Sequence, residues 1–189
     1  MKRDFGTTFV TQCAPVMAGL KAGGLFRWVE PDAAAMEALL HTWRSQLEPR
    51  GVKIEVLKAC PRTHAYLIYA YRQGRLRDIL HQPAVRGFLC SAGYPHTADC
   101  RRCLDCLCAR LQQEEEFPHE IGVFLDYPLQ DVIGFMQNRG KNYTFTGYWR
   151  SYGDPERARD RFARLRKCTD VYLRCYRSGT PVTRLTVAG

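Results

Sequence analysis

The chain has 189 residues, which is enough to bury a hydrophobic core, and we expect a single domain over residues 1–189. Hydrophobic residues make up 46% and aromatic residues 12% of the sequence, which excludes a disordered chain. The formal net charge of +9 favours an anionic partner, and no apolar run reaches the length of a bilayer span, so no membrane partner is expected.

The first predicted elements are a short helix, a strand and a longer helix. Pro15 can only open a helix or a turn, so we expect at most a short helix over residues 16–20. A strand is predicted over residues 25–29. Asp32 is a good N-terminal cap, and apolar residues at helical spacing follow it until the stop signal at residues 49–51.

The next segment predicts a β-hairpin. Residues 52–56 alternate between apolar and charged side chains, which is typical of a strand with one wet face. Residues 65–71 form a second apolar strand, and the short connection favours antiparallel pairing. Arg72 lies at the end of that strand. Two short helices are predicted next, over residues 76–80 and 84–91.

The central stretch of the chain is a short apolar run with polar groups at its entrance. A helix that starts at Thr97 is expected to end at residues 114–116. Residues 121–125 then have the length and composition of a strand buried on both faces. His119 and Glu120 precede this strand, at the position where α/β proteins usually keep a ligand.

The remaining elements complete the predicted fold. We expect a helix between Pro128 and Gly140, an alternating strand over residues 143–149, and a long helix from Pro155. Residues 185–187 either add a short strand or pack against the core. Together these elements predict a single α+β domain with a mixed sheet of about five strands and helices packed on it.

The nine cysteines are expected to be free thiols, because the chain shows no secretory signal and is predicted to be cytoplasmic. Four of them, at positions 100, 103, 106 and 108, are spaced densely enough to suggest a metal cluster. Three of the four fit the apolar side of a helix. We therefore interpret them as small core residues and predict no metal site.

One group of residues suggests thiol chemistry. If a helix begins at Pro15, Cys13 lies just outside its N-terminus, where the helix dipole and Lys21 favour a thiolate. His119 could then act as the base, with a carboxylate fixing its tautomer. Glu120 can join His119 at one ligand only if the backbone turns there, because neighbouring residues of an extended segment point to opposite faces. The alternative interpretation is a buried small thiol at Cys13 and a hydrogen-bonded structural histidine.

A second group is cationic and aromatic, and its members lie at strand ends or in the adjacent loops. If these ends converge, they form a pocket with donors for a phosphate or carboxylate and rings for stacking. The predicted ligand-binding residues are Lys21, Arg72, Tyr127, Trp149, Arg150 and Tyr152. The alternative is that the cations pair with Glu120, Asp126 and Asp131 while the aromatic residues complete the core.

The sequence does not favour nucleic acid as the partner. Basic and aromatic residues do not alternate along the predicted strand at residues 65–71, which looks buried on both sides. Five arginines lie within residues 157–166, and such a run is more typical of a solvated helix face than of a dedicated nucleic-acid site.

Several motifs resemble an uncharacterised bacterial family, domain of unknown function 3793, which is associated with anaerobic bacteria. The resemblance covers nearly the whole chain but implies no established activity. Its most specific part is the sequence FPHEIG at residues 117–122. The other matching residues are CAP at 13–15, GLK at 19–21, LF at 25–26, YAYR at 69–72, YP at 127–128, Gly147, Trp149, Tyr152, KCT at 167–169 and RLTVA at 184–188.

Two functional hypotheses remain open. In the first, the protein is a small enzyme for an anionic metabolite or cofactor, with Cys13 and His119 reactive. In the second, it is a non-catalytic binding or partner module, in a redox or metal-homeostasis context, whose pocket holds a flavin, a nucleotide or a tetrapyrrole-like ligand. The first hypothesis requires a partly exposed thiol, whereas the second requires a buried one. The residues do not identify the cofactor.

Overall fold

The structure is a computed structural model and describes residues 4–97, 99–113 and 117–189. The predicted helix end at residues 114–116 lies outside these ranges. The chain forms two compact units, one made of Met1–Leu76 with Cys168–Gly189 and the other of Arg77–Lys167. The helices are α1 (Phe5–Met17), α2 (Ala33–Leu47), α3 (Gln73–His81), α4 (Pro83–Ser91), α5 (Cys100–Gln113), α6 (Ile121–Phe124), α7 (Leu129–Gln137), α8 (Pro155–Arg177) and α9 (Val182–Leu185). The strands are β1 (Gly23–Val29), β2 (Lys53–Cys60), β3 (Ala65–Tyr71), β4 (Phe145–Thr146) and β5 (Arg150–Ser151).

The first unit contains a three-stranded antiparallel sheet in the order β1-β3-β2. Strand β3 lies in the centre, with Tyr69 opposite Leu25 on β1 and Tyr71 opposite Lys53 on β2. The predicted antiparallel β2–β3 hairpin is confirmed. Asp32 caps α2 as predicted, since its carboxylate accepts hydrogen bonds from the first backbone N–H groups of that helix.

Helix α1 corrects the prediction made at Pro15. The helix runs from Phe5 to Met17, and Pro15 lies inside it rather than at its start. Proline lacks an N–H and leaves the carbonyl four residues earlier without its helical partner, at a cost of about 3 kcal/mol. Phe9, Val10 and Met17 are fully buried in the core of the first unit, and this packing outweighs the local penalty.

The central apolar run is also different from its prediction. Residues 121–125 do not form a strand: residues 121–124 form the short helix α6 and Leu125 caps it, with its backbone N–H bonded to the Ile121 carbonyl at 3.1 Å. Asp126 adopts a left-handed conformation and ends the turn. The five residues are buried, as expected, but a short apolar run fits a buried helical turn as well as a strand.

The α+β class and the total of about five strands are confirmed within the described part of the chain. The single mixed sheet is not: β1, β2 and β3 form one antiparallel sheet, and β4 and β5 form a separate two-stranded hairpin in the second unit. The expected central strand is a helix, and among the described residues no strand joins the two sheets. In the same described ranges, no helix is both long enough and apolar enough to cross a membrane.

Candidate functional site

The second unit contains a cavity of about 420 Å³ between the segment at residues 117–127, helix α7 and the β4–β5 hairpin. Its lining is mainly apolar and aromatic, with a small number of polar groups. Such a composition is typical of small-molecule sites, whose volumes are about 300–1,000 Å³. The rings in the lining belong to Phe117, His119, Tyr127, Phe135, Tyr148 and Trp149. Asp131 and Arg150 contribute the charged groups.

Asp131 connects α7 to the hairpin that forms one wall of the cavity. Its buried carboxylate accepts hydrogen bonds from Trp149 Nε1 at 2.7 Å, from Ser151 Oγ at 3.1 Å and from the Tyr152 backbone N–H at 2.7 Å. Three donors satisfy a buried carboxylate well, so its charge is compensated within the wall. Asp131 is therefore a positioning residue for the hairpin.

Trp149 is held from several directions. Tyr127 stacks against its ring at a centroid distance of 4.5 Å, and Phe162 of α8 packs edge-on at 4.4 Å. The guanidinium of Arg161 lies 5.1 Å from the centre of the same ring. Burial raises the pKa of Tyr127, so its hydroxyl stays protonated at neutral pH. These contacts make Tyr127 and Trp149 a rigid wall.

Arg150 and His119 are exposed side chains with nitrogen donors on this cavity. The Nη1 atom of Arg150 donates to the Gly140 carbonyl at 2.5 Å, and the guanidinium lies over the rings of Tyr143 and Phe135 at 5.4 and 5.8 Å. The imidazole of His119 packs edge-on against Phe135 at 4.9 Å. Phe135 therefore contacts both the cation and the imidazole.

Two glycines permit this arrangement. Gly140 has a φ of +72°, which side-chain-bearing residues rarely adopt, and a Cβ there would collide with Arg150. Gly147 packs directly against Phe162, and a Cβ at that position would overlap the ring. The close approach of the hairpin to α8 therefore depends on Gly147, and that of the loop after α7 to the Arg150 side chain depends on Gly140.

Glu120 does not line the cavity. Its buried carboxylate pairs with Arg110 Nε at 2.7 Å and accepts a hydrogen bond from the Tyr94 hydroxyl at 3.2 Å. Burial, together with the nearby Glu120 charge, raises the pKa of Tyr94. The predicted role of Glu120 in orienting His119 stays a prediction. The observed contacts tie it to α5 and to the chain after α4.

Tyr152 also lies outside the cavity lining. Its backbone N–H bonds to Asp131, and its ring packs so closely on Gly134 that a Cβ there would overlap it. Within the described residues, its buried hydroxyl has no hydrogen-bond partner. The observed role of Tyr152 is to pack the hairpin onto α7.

Three predicted site residues belong to the first unit. Cys13 is fully buried inside α1, and burial raises its pKa to about 12 even though the charge of Lys21 acts in the opposite direction. The thiol is therefore protonated at neutral pH. The predicted position of Cys13, just outside the N-terminus of a helix, is wrong because Cys13 lies inside α1. Lys21 is itself buried.

Arg72 binds main-chain carbonyls. Its Nε donates to the Val16 carbonyl at 2.6 Å, and its Nη2 donates to the carbonyls of Met17 at 2.6 Å and Val187 at 2.8 Å. Its Nη1 lies 3.4 Å from the Arg50 carbonyl. Val16 and Met17 end α1, where carbonyls lack helical partners. Arg72 thus caps that helix and connects it to the segment after α9.

The cysteines of α5 behave as packed side chains. Cys100 and Cys103 are buried, whereas Cys106 and Cys108 are half-buried. Burial is the main cause that raises the pKa of Cys103 to about 11, and the neighbouring thiols add to it. Over the described part of the chain, no three His, Cys, Asp or Glu side chains are grouped closely enough to hold a metal ion.

The structure thus brings four predicted residues into one cavity: His119, Tyr127, Trp149 and Arg150. Phe135, Tyr148 and Phe117 were missed. Phe135 lies off the apolar stripe of α7, and Phe117 and Tyr148 are largely exposed. The sequence signal that could have identified these lining residues is the placement of aromatic side chains away from the core-facing stripe.

The comparisons with known proteins concern the whole chain. The family model described as "Protein of unknown function (DUF3793)" matches residues 9–186. Comparisons with curated proteins and with solved structures give no match. The resemblance noted in the sequence is therefore confirmed, and the chain belongs to the DUF3793 family.

Proposed function

We propose that the cavity of the second unit binds a planar aromatic molecule that carries a phosphate or carboxylate group. The observation that carries this proposal is the combination of six lining rings with the exposed guanidinium of Arg150 at the same cavity. Flat rings provide stacking contacts, and a guanidinium forms strong charge-assisted hydrogen bonds to oxyanions.

The charges around the cavity favour an anion over a cation. Asp131 is the acidic residue in the lining, but three hydrogen-bond donors already face its carboxylate. Arg150 is exposed, and the rings of Tyr143 and Phe135 hold its guanidinium in place. A cation that is fixed before binding loses less conformational entropy when the ligand binds.

The contacts support a binding module over an enzyme. A nucleophilic role for Cys13 would require a thiolate, and burial raises the pKa of that thiol to about 12. Glu120 is engaged with Arg110 and Tyr94. His119 lines the cavity, and a ligand can hydrogen-bond to its imidazole without any covalent step.

The test is calorimetric titration of the full chain with flavin mononucleotide and with riboflavin, which differ only in the phosphate. We expect the phosphate to strengthen binding about tenfold or more, the usual contribution of a charged hydrogen bond. Arg150→Gln should remove this difference, while Arg27→Gln, an exposed charge-matched control in the first unit, should keep it.

A second variant tests the aromatic part of the proposal. Tyr148→Ala removes an exposed ring from the lining and should weaken both flavins equally. Adenosine monophosphate and adenosine serve as a second pair of probes. Failure of both phosphate-bearing probes to bind, or equal binding by the wild type and Arg150→Gln, would overturn the proposal.

A further inference from the structure

A group of exposed cations lies on the solvent-facing side of helix α8 within the second unit. Arg159, Arg164, Arg166 and Lys167 are all exposed, and in the described part of the chain they make no salt bridge. The opposite side of the helix is buried through Phe162 and other apolar residues. Because the apolar side is already covered, α8 presents to solvent a surface that is mainly cationic.

Arg159, the first cation of this group, lies beside the hairpin that lines the cavity. The guanidinium of Arg159 lies 5.6 Å from the ring centre of Phe145, and Phe145 stacks against Phe162 at 5.9 Å. Thr146, the next residue of the hairpin, lines the cavity. From Arg159 to Lys167 the helix rises by about 12 Å. This length is comparable to a stretch of nucleic acid strand that contains several phosphates.

Exposed aromatic rings surround the same cavity. Phe117, Tyr143 and Tyr148 are 48%, 44% and 42% exposed. Phe117 and Tyr148 belong to the lining, and Tyr143 lies under the Arg150 guanidinium. Exposed rings next to a row of cations are the combination with which proteins bind single-stranded nucleic acid, because bases stack on the rings while phosphates follow the cations.

We infer that the second unit binds single-stranded nucleic acid, with one base in the cavity and the phosphate backbone along Arg159, Arg164, Arg166 and Lys167. The inference rests on the proposed function, since it identifies the planar anionic ligand as a nucleotide within a longer strand. The cations lie on α8, and the rings lie in or near the β4–β5 hairpin and at residue 117, so neither group lies on the face of a sheet.

Two observations favour this partner over others. A base can enter a cavity only when it is unpaired, so a duplex is not expected to bind equally well. A helix that lies on an anionic membrane needs an apolar face for the lipid, and the apolar face of α8 at Phe162 and Leu165 is buried in the protein.

The experiment measures filter binding of end-labelled dodecamers of thymidylate, of uridylate and of a DNA duplex to the full chain. The test variant is Arg164→Gln/Arg166→Gln/Lys167→Gln. We expect it to bind both single strands about 100-fold more weakly near 0.1 M salt, with a log–log salt slope less steep by about 2 units. The two single strands show whether the 2′-hydroxyl matters.

The control variant is Arg27→Gln/Lys53→Gln/Arg62→Gln, which removes the same charge from exposed positions of the first unit and should bind like the wild type. Tyr148→Ala should weaken the single strands as it weakens the flavins. The inference is overturned if the test variant binds like the control, if the duplex binds as tightly as the single strands, or if anionic phosphatidylserine vesicles compete equally well.

The two proposals fail in different ways. If flavin mononucleotide binds the wild type and the test variant equally, but oligonucleotides show no sensitivity to the α8 substitutions, the inference is wrong and the proposed function stands. If oligonucleotides depend on α8 but neither mononucleotide binds and Tyr148→Ala has no effect, the cavity is not the ligand site and both the proposed function and the placement of the base are wrong.

Discussion

Replacement of Asp131 by asparagine tests how the cavity wall is built. The Asp131 carboxylate places one oxygen 2.7 Å from Trp149 Nε1, while the other accepts from Ser151 Oγ at 3.1 Å and from the Tyr152 N–H at 2.7 Å. An asparagine of the same shape has only one acceptor oxygen. In either orientation of its amide, at least one buried N–H group of Trp149 or Tyr152 loses its partner.

The expected loss follows from these contacts. A buried donor left without a partner costs about 1–3 kcal/mol, and the hydrogen bonds that remain lose the charge of their acceptor. We therefore expect Asp131→Asn to lower the free energy of unfolding by about 3 kcal/mol. Trp149 should also become less rigid, because its indole N–H bond fixes the ring beside Tyr127.

Urea denaturation measures the stability, and a nitrogen–proton correlation spectrum reports on the Trp149 indole N–H directly. The local readout matters because the chain has two compact units, which need not unfold in one step. Asp160→Asn is the matched control, since Asp160 is an exposed residue of α8 and should leave the unfolding curve unchanged. A loss below about 1 kcal/mol with an unshifted indole resonance would refute the reasoning.

The remaining predictions concern the first unit. Arg72→Met should lower the free energy of unfolding by about 3 kcal/mol, because it removes the charge-assisted hydrogen bonds from the guanidinium to the main-chain carbonyls of Val16, Met17 and Val187; thermal denaturation tests this, with Arg27→Met, at an exposed position, as control. An Arg72→Lys protein as stable as the wild type would contradict it, since one ammonium cannot reach all these carbonyls. Cys60 should be alkylated by iodoacetamide faster than the buried Cys13, because a hydrogen bond from the Thr63 hydroxyl lowers the pKa of the Cys60 thiol. Thr63→Ala should move the pH midpoint of Cys60 alkylation upward; mass spectrometry follows both sites, and equal rates at Cys13 and Cys60 would refute the prediction.

Elements that are determined by residues close to one another along the chain were predictable from the sequence. Strand β2 alternates between apolar and charged side chains, and its partner β3 follows after a short turn, so the antiparallel pairing could be derived from the pattern alone. Asp32 was recognisable as a cap because short carboxylates satisfy the first N–H groups of a helix. In both places the physical cause lies within a few residues of the chain.

Elements that depend on distant packing were not predictable in the same way. The run at residues 121–125 is too short for its periodicity to distinguish a strand from a helical turn, and the structure shows the helix α6. Pro15 indicated a helix start, yet burial of α1 against the sheet holds the helix through it. Neither outcome follows from the neighbouring residues.

The candidate site shows the same division. Arg150 and His119 were identified because polar groups at the ends of predicted strands suggest a ligand. The partners of the carboxylates were not identified: Glu120 pairs with Arg110, and Asp131 accepts from the hairpin instead of an arginine. Which donor meets which carboxylate depends on how the helices pack, and spacing along the chain carries no information about that.

The contacts of Arg72 have a consequence for how the first unit tolerates sequence change. Its hydrogen bonds end on backbone oxygens, which every amino acid carries, so the identity of the side chain at a partner position such as Arg50 or Val187 is irrelevant to the bond. Variation at those two positions leaves the acceptors intact, whereas a change at Arg72 removes the donors from all of them at once. Arg72 is therefore the position of this network at which the identity of the side chain determines whether the hydrogen bonds form.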